Sequence, residues 1–333
     1  MTPRPPLPMG EGKGEGPLDR AAAAKPTTLL EMGPRPNPLP PGEAIDEPVG
    51  HSASRWRRAR RNRRLVAGAV LIAIAVLVAL FAPVLAPFPP LAQAPELNNR
   101  PPGFVDPAGA AHLLGTDPLG RDILSRVMYG ARVSLLIGAT AVLLAGTVGV
   151  TFGLLAGYVG GFVETAVMRL VDTLLAIPFV LLAIVSVALF GQNLVGLILI
   201  LGLTGWLGYA RVVRGVVLSL KEMPYVEAAR ALGTPPPRIV LRHVLPGVWT
   251  PVIVLATQQV GTMMIAESSL TFLGIGIPPT VPSWGAMIAD GRAYVALAPW
   301  VAIFPGLALT ITVLAVYFFG DGLRDLLDPR LRI

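Results

Sequence analysis

The 333-residue chain is 53% hydrophobic but only 14% charged, where an ordinary soluble domain carries about 25% charge. Its net charge of +7 comes from basic residues gathered at the ends of long uncharged stretches, a pattern that membrane topology requires and that argues against a nucleic-acid partner. With no Cys, disulfides and thiolate metal sites are excluded.

Residues 1–54 are rich in Pro, Gly and Ala, with few large apolar side chains. Such a segment cannot bury enough surface to offset its ordering entropy, so it reads as a disordered cytoplasmic tail. Residues 55–132 follow as a basic flank, a first span and an extracytoplasmic segment, and residues 133–333 as a core with five more spans. A helix needs about 20 apolar residues to cross a bilayer. The predicted spans are Leu65 to Ala86, Val133 to Gly157, Ala166 to Phe190, Leu194 to Val213, Val248 to Leu270 and Pro299 to Phe319. The third carries Pro178, which neighbouring helices can accommodate, and Asp172 near one end, expected to face cytoplasmic water or to pair with Arg169.

Arg55, Arg57, Arg58, Arg60, Arg61, Arg63 and Arg64 precede the first span and hold the N-terminus inside. Six crossings return the C-terminus to the same side, which places 22 of the 27 Lys and Arg in inside segments. Gly149, Gly153, Gly157 and Gly161 recur every four residues and form one smooth stripe for close helix approach. Two outside segments, Pro87 to Arg132 and Gly274 to Ala298, and the inside loop Arg214 to Gly247 are longer than ordinary connections, which marks them as functional or separately structured. In the first of these, Gly115, Asp117, Gly120, Arg121, Asp122 and Arg126 can shape a turn and pair their charges, or can meet a docking protein. Trp284 and Trp300 read as interfacial anchors.

The residues offer little for catalysis. His51, His112 and His243 are the only histidines and lie outside the predicted spans; HExxH and the phosphate-loop pattern are missing. The chain is therefore not expected to be an enzyme or to hold a cofactor of its own. Asp172 and Glu267 are the acidic residues nearest the spans, yet each sits towards a span end, so ion coupling as in a secondary transporter is the weaker alternative. Glu267 is expected near the outer mouth, in a packing or a gating role.

The inside loop reads VVRGVVLSLKEMPYVEAARALGTPPPRIVLRHVLPGVW. Tyr225 to Leu232 can form a short helix with Glu227 in its first turn, favourably placed on the macrodipole, and Gly233 can stop it. Each proline disfavours helix in the residue before it, so Thr234 to Pro236 should be extended and Pro237 should open a second helix. Two short helices joined by a rigid elbow are expected.

This loop resembles the EAA loop of binding-protein-dependent ABC importer permeases at Glu227, Ala228, Ala229, Gly233, Leu245 and Pro246. LGTDPLGRDILSRVMYGARVSL, GYVGGFVETAVMRLVD, AESSLTFLGIGIPPTVPSWGAMIADGR and FGDGLRDLLDPRLR are similar to the six-span second permease of the peptide and nickel subfamily. Glu164 stands where that family usually has Asp, and Tyr317 where Asn is common.

The resemblance implies an all-α integral membrane fold of six transmembrane helices, the type I ABC importer permease, with a cytoplasmic EAA coupling loop. It implies a multi-pass protein of a bacterial-type inner membrane, paired with a homologous permease and two ATPase subunits that bind ATP and Mg, and supplied by an extracytoplasmic solute-binding protein. Cargo would be a di- or oligopeptide, or alternatively nickel or another small solute. Tyr225, Glu227, Ala228, Ala229, Gly233, Leu245 and Pro246 would couple to the ATPase; Asp117, Arg121, Asp122, Arg126 and Glu267 would serve the outer gate or the binding-protein contact.

Overall fold

The computed structural model describes residues 62–327. The expected tail 1–54, most of the basic flank and the last six residues lie outside the described residues.

Helix α1 (Arg63–Leu85) starts at Asn62, whose side chain caps the N–H groups of Arg64 and Leu65 at 3.1 and 3.2 Å. The outer segment 86–122 follows, with a two-stranded antiparallel ribbon of β1 (Phe104–Val105) and β2 (Ala111–His112). Helix α2 (Ile123–Val159) begins ten residues before the expected Val133, because Asp122 supplies an N-cap that the apolar run alone did not mark. The third span is not one helix. It divides into α3 (Gly161–Ala176) and α4 (Phe179–Phe190), bent by 88°. Pro178 has no N–H and disfavours helix at Ile177, so both adopt extended backbone, ψ 123° and 128°.

Helix α5 (Leu194–Leu220) leads into the inside loop, where α6 (Pro224–Ala231) and α7 (Pro236–Ile239) are found. A π turn over Val240–Val244 joins α7 without interruption to α8 (Leu245–Phe272). The second loop helix is thus the inner end of the fifth span, one residue earlier than expected and not a separate piece. Pro246 accounts for the turn: it cannot donate and clashes with a carbonyl four residues back, and the backbone widens so that Leu245 N–H reaches Val240 O. The outer helix α9 (Trp284–Gly291) precedes α10 (Trp300–Leu327). Among the described residues, five helices are long and apolar enough to cross a membrane, or six if the bent pair counts as one span.

The core lies between α2, α5 and α8, with Ile137, Ala145, Leu201, Tyr209 and Val248 among its buried members, while α1 packs on α10. Glycine decides how near α2 and α5 come. A Cβ at Gly153 would meet Val213 Cβ at 2.6 Å and Ala210 O at 2.9 Å; one at Gly157 would meet Val217 Cβ at 2.7 Å. Gly161 leaves the expected stripe, since the chain turns at Gly160 and Gly161 with φ of 72° and 57°. Gly153→Leu should therefore force the two helices apart and lower stability by about 1–3 kcal/mol. Gly208→Leu, at an exposed site with nothing within 4 Å of its Cβ, should not. Thermal unfolding of the two variants in detergent checks the contrast.

Charged residues link α3 to α5. Arg211 donates to Asp172 at 2.7 Å, and Arg214 holds Glu164. Of the two expectations for Asp172, the solvent-facing one fits its exposed side chain, and its partner is Arg211 of α5 instead of Arg169. Trp284 is likewise no lipid anchor: it is buried, and its indole N–H donates to Val127 O at 2.9 Å. Trp300 donates to Thr116 O at 3.2 Å.

Candidate functional site

Two polar layers lie at opposite ends of the bundle. At the inner end, Met223 leaves α5 in extended backbone and Pro224 occupies the first position of α6, where no donor is needed. Glu227 sits in the first turn and Arg230 in the last, both matched to the helix dipole. Val226 and Ala229 are buried against Ile239 and Val244. The other face of α6 is open: Tyr225, Glu227 and Ala228 are exposed, and Leu232 beside them is 86% exposed.

Gly233 ends α6 with φ +75°. Its N–H donates to Arg230 O at 3.0 Å and that of Thr234 to Ala229 O at 3.1 Å, so the last carbonyls of α6 are satisfied. Nothing lies within 4 Å of a Cβ placed there; glycine is needed for its dihedral angle alone. Pro235 is extended, and its carbonyl accepts from Arg238 and Ile239 at 3.0 and 3.2 Å as α7 starts. Leu245 is half-buried and Pro246 exposed just beyond the π turn.

At the outer end, Asp117, Arg121, Arg126 and Asp290 form a neutral quartet. Asp117 accepts from the backbone N–H groups of Leu119 and Arg121, both at 2.9 Å, from Arg121 Nε at 2.6 Å, and from Arg126. Asp290 Oδ2 accepts from both arginines at 3.1 Å. Arg126 and Asp117 are fully buried, whereas the Asp290 side chain is 30% exposed. The quartet ties the loop before α2 to α9. Asp122 has a different role: it caps α2 through Ser125 N–H at 2.8 Å and holds His112 Nδ1 at 3.0 Å. The paired-charge turn read from the sequence thus includes Asp290, which the sequence reading missed. No local spacing signals it, since it lies 164 residues from Arg126.

Glu267 is fully buried among hydroxyls. Its carboxylate accepts from Ser283 Oγ at 3.0 Å, Thr271 Oγ1 at 3.1 Å and Ser268 Oγ at 3.1 Å. Ser283 also caps α9, and Gly285 brings α9 against Ser268, whose Cα would lie 2.6 Å from an added Cβ. A buried carboxyl needs such donors, and here they fasten α9 to the outer end of α8. Among the described residues, no group of three or more His, Asp or Glu is placed to hold a metal ion.

Residues 149–333 match the family described as binding-protein-dependent transport system inner membrane component. Residues 53–102 match the N-terminal TM domain of oligopeptide transport permease C. The glutathione transport system permease protein GsiD of Pectobacterium atrosepticum is 44% identical over 223 residues, covering 67% of this chain and 74% of that protein. The oligopeptide transport system permease protein OppC of Haemophilus influenzae is 43% identical over 219 residues, covering 66% and 70%. Among solved structures, the MetNI methionine ABC transporter in an inward-facing conformation aligns with a TM-score of 0.51 at 21% identity, over 62% of this chain and 98% of that one. At that identity the likeness concerns the fold. The chain belongs to the binding-protein-dependent transport system inner membrane components, as a membrane-spanning permease of an ABC importer.

Proposed function

We propose that this permease forms half of the translocation pathway of an importer for di- or oligopeptides, with both termini in the cytoplasm. A homologous permease supplies the other half, two ATPase subunits bind ATP and Mg, and an extracytoplasmic solute-binding protein delivers cargo. The peptide cargo is supported by the names of the relatives, which transport glutathione and oligopeptides. The observation that carries the reading is the inner end of the bundle. An exposed strip of Tyr225, Glu227 and Ala228 on α6 is joined through the Gly233 elbow to a helix that continues to the outer face.

ATP shifts the transporter between inward-open and outward-open states only through its differential affinity for them. The nucleotide subunits therefore need a grip on the permease, and α6 with Ala229, Gly233, Leu245 and Pro246 supplies it. At the far end, Asp117, Arg121, Asp122, Arg126 and Glu267 fix the shape of the outer gate beneath the docked binding protein.

Tagged permease purified from its native membrane in mild detergent should carry an ATPase and a second permease with it. Glu227→Lys reverses the acidic charge on the exposed strip, beside the exposed Arg230, and like charges across an interface oppose association. The variant should insert normally but lose the ATPase. Retained ATPase in Glu227→Lys removes the coupling role of α6, and purified permease that transports peptide alone removes the importer reading.

A further inference from the structure

A bend of 88° between α3 and α4 interrupts the third span at Ile177 and Pro178. Non-helical backbone at membrane depth is tolerated only where protein buries it or where it lines a water-filled cavity. Ile177 stays 38% exposed in the single chain, and Pro178 is exposed as well. This side of the bundle therefore faces away from lipid.

A cavity of about 400 Å³ opens directly at the break, walled by α3, α4, α5 and α8. That volume is in the range of pockets that take small ligands. Thr204 is the eleventh residue of α5 and Gln259 the fourteenth from the outer end of α8. At about 1.5 Å per residue both lie roughly 15–20 Å from the outer ends of their helices, about the middle of a core some 30 Å thick.

The lining is of two kinds. Leu174, Phe179, Leu182, Leu201 and Met263 make apolar walls, and no lining residue is charged. Gln259 is the polar exception with reach. Its Nε2 donates to Gly205 O at 3.3 Å, which orients the carboxamide and leaves Oε1 without a hydrogen bond among the described residues. Gly205 is small for this purpose: a Cβ there would come within 3.1 Å of Gln259 Nε2.

We infer that this cavity is a cargo subsite, which receives one neutral apolar side chain of the transported peptide while Gln259 Oε1 accepts from the adjoining amide N–H. The inference rests on the importer reading above and names the part of the cargo this chain contacts. A charged side chain has no partner in the cavity and would lose its hydration on entry. A lipid acyl chain would leave the carboxamide unused and cannot satisfy the broken backbone.

The test uses the complete transporter in proteoliposomes with its binding protein, and compares uptake of Ala-Phe-Ala, Ala-Ala-Ala and Ala-Asp-Ala. Wild type should favour the Phe peptide over the Asp peptide. Ala266→Phe fills the cavity and should lower the Phe-to-Ala uptake ratio about tenfold, the size of effect expected for an occluded apolar pocket. Gln259→Leu removes the acceptor and should slow both neutral peptides while leaving their ratio in place. Ratios are independent of how much protein is inserted, so a poorly expressed variant still reports. An unchanged Phe-to-Ala ratio in Ala266→Phe, with peptides still imported, overturns the subsite alone and assigns the cavity to the partner permease. A wild-type complex that holds its ATPase but imports none of the three peptides overturns the peptide reading and the subsite together.

Discussion

Arg126→Met should lower the stability of the detergent-solubilised permease by about 3–5 kcal/mol, the cost of removing one member of a buried ion pair. Arg126 has no exposed surface and donates to two carboxylates, one of which, Asp117, is also fully buried. Methionine fills much of the same volume but leaves Asp117 with Arg121 as its remaining cation and Asp290 with one donor in place of two. The loss should appear in thermal unfolding followed by tryptophan fluorescence, since Trp284 and Trp300 hydrogen-bond to the backbone around this region. Asp290→Asn should cost less, because the Asp290 side chain is 30% exposed and water compensates part of the change. Equal melting of wild type and Arg126→Met would show that the quartet does not hold the outer layer together.

Gly233→Pro should abolish coupled uptake while leaving insertion intact. The glycine has φ +75°, whereas proline fixes φ near −65°, and the substitution also deletes the N–H that reaches Arg230 O. A misplaced proline costs about 3 kcal/mol or more, which corresponds to roughly a hundredfold in any equilibrium that requires the native elbow. Gly233→Asn, which tolerates the left-handed region, should keep most activity, and no steric obstacle stands in its way because the space around the Cβ position is empty. Peptide uptake and ATPase copurification measure both variants. Wild-type uptake by Gly233→Pro would dissociate the elbow from transport.

The pattern of what could be read in advance follows the range of the forces. Spans were legible because a charge in hydrocarbon is costly and the gaps between charges are long. The start, the stop and the elbow of α6 were legible because Pro, Glu and Gly act on backbone within a few residues. The pairs Asp172–Arg211 and Glu164–Arg214 were not, since they join positions 39 and 50 residues apart and depend on which faces α3 and α5 turn to each other. Arg169 is nearer to Asp172 along the chain, but local spacing does not decide packing. Of the hydroxyl donors around Glu267, Ser283 was hidden for the same reason: it comes from a different segment, and a lone Ser carries no signature. Pro178 was visible, yet the sequence does not say whether neighbours straighten or bend a span at proline, and here the chain bends.

The 37 residues from Pro236 to Phe272 run as a single helical rod, about 55 Å long at 1.5 Å per residue. Within it, the interruptions are the π turn at Val240–Val244, near the inner end, and Pro251, about 22 Å along the rod. A tilt of about 5° imposed at Pro251 would sweep the opposite tip, about 30 Å away, by about 3 Å. That tip bears Glu267 and its hydroxyl donors, so a small tilt at Pro251 is delivered to the outer end with little elastic loss.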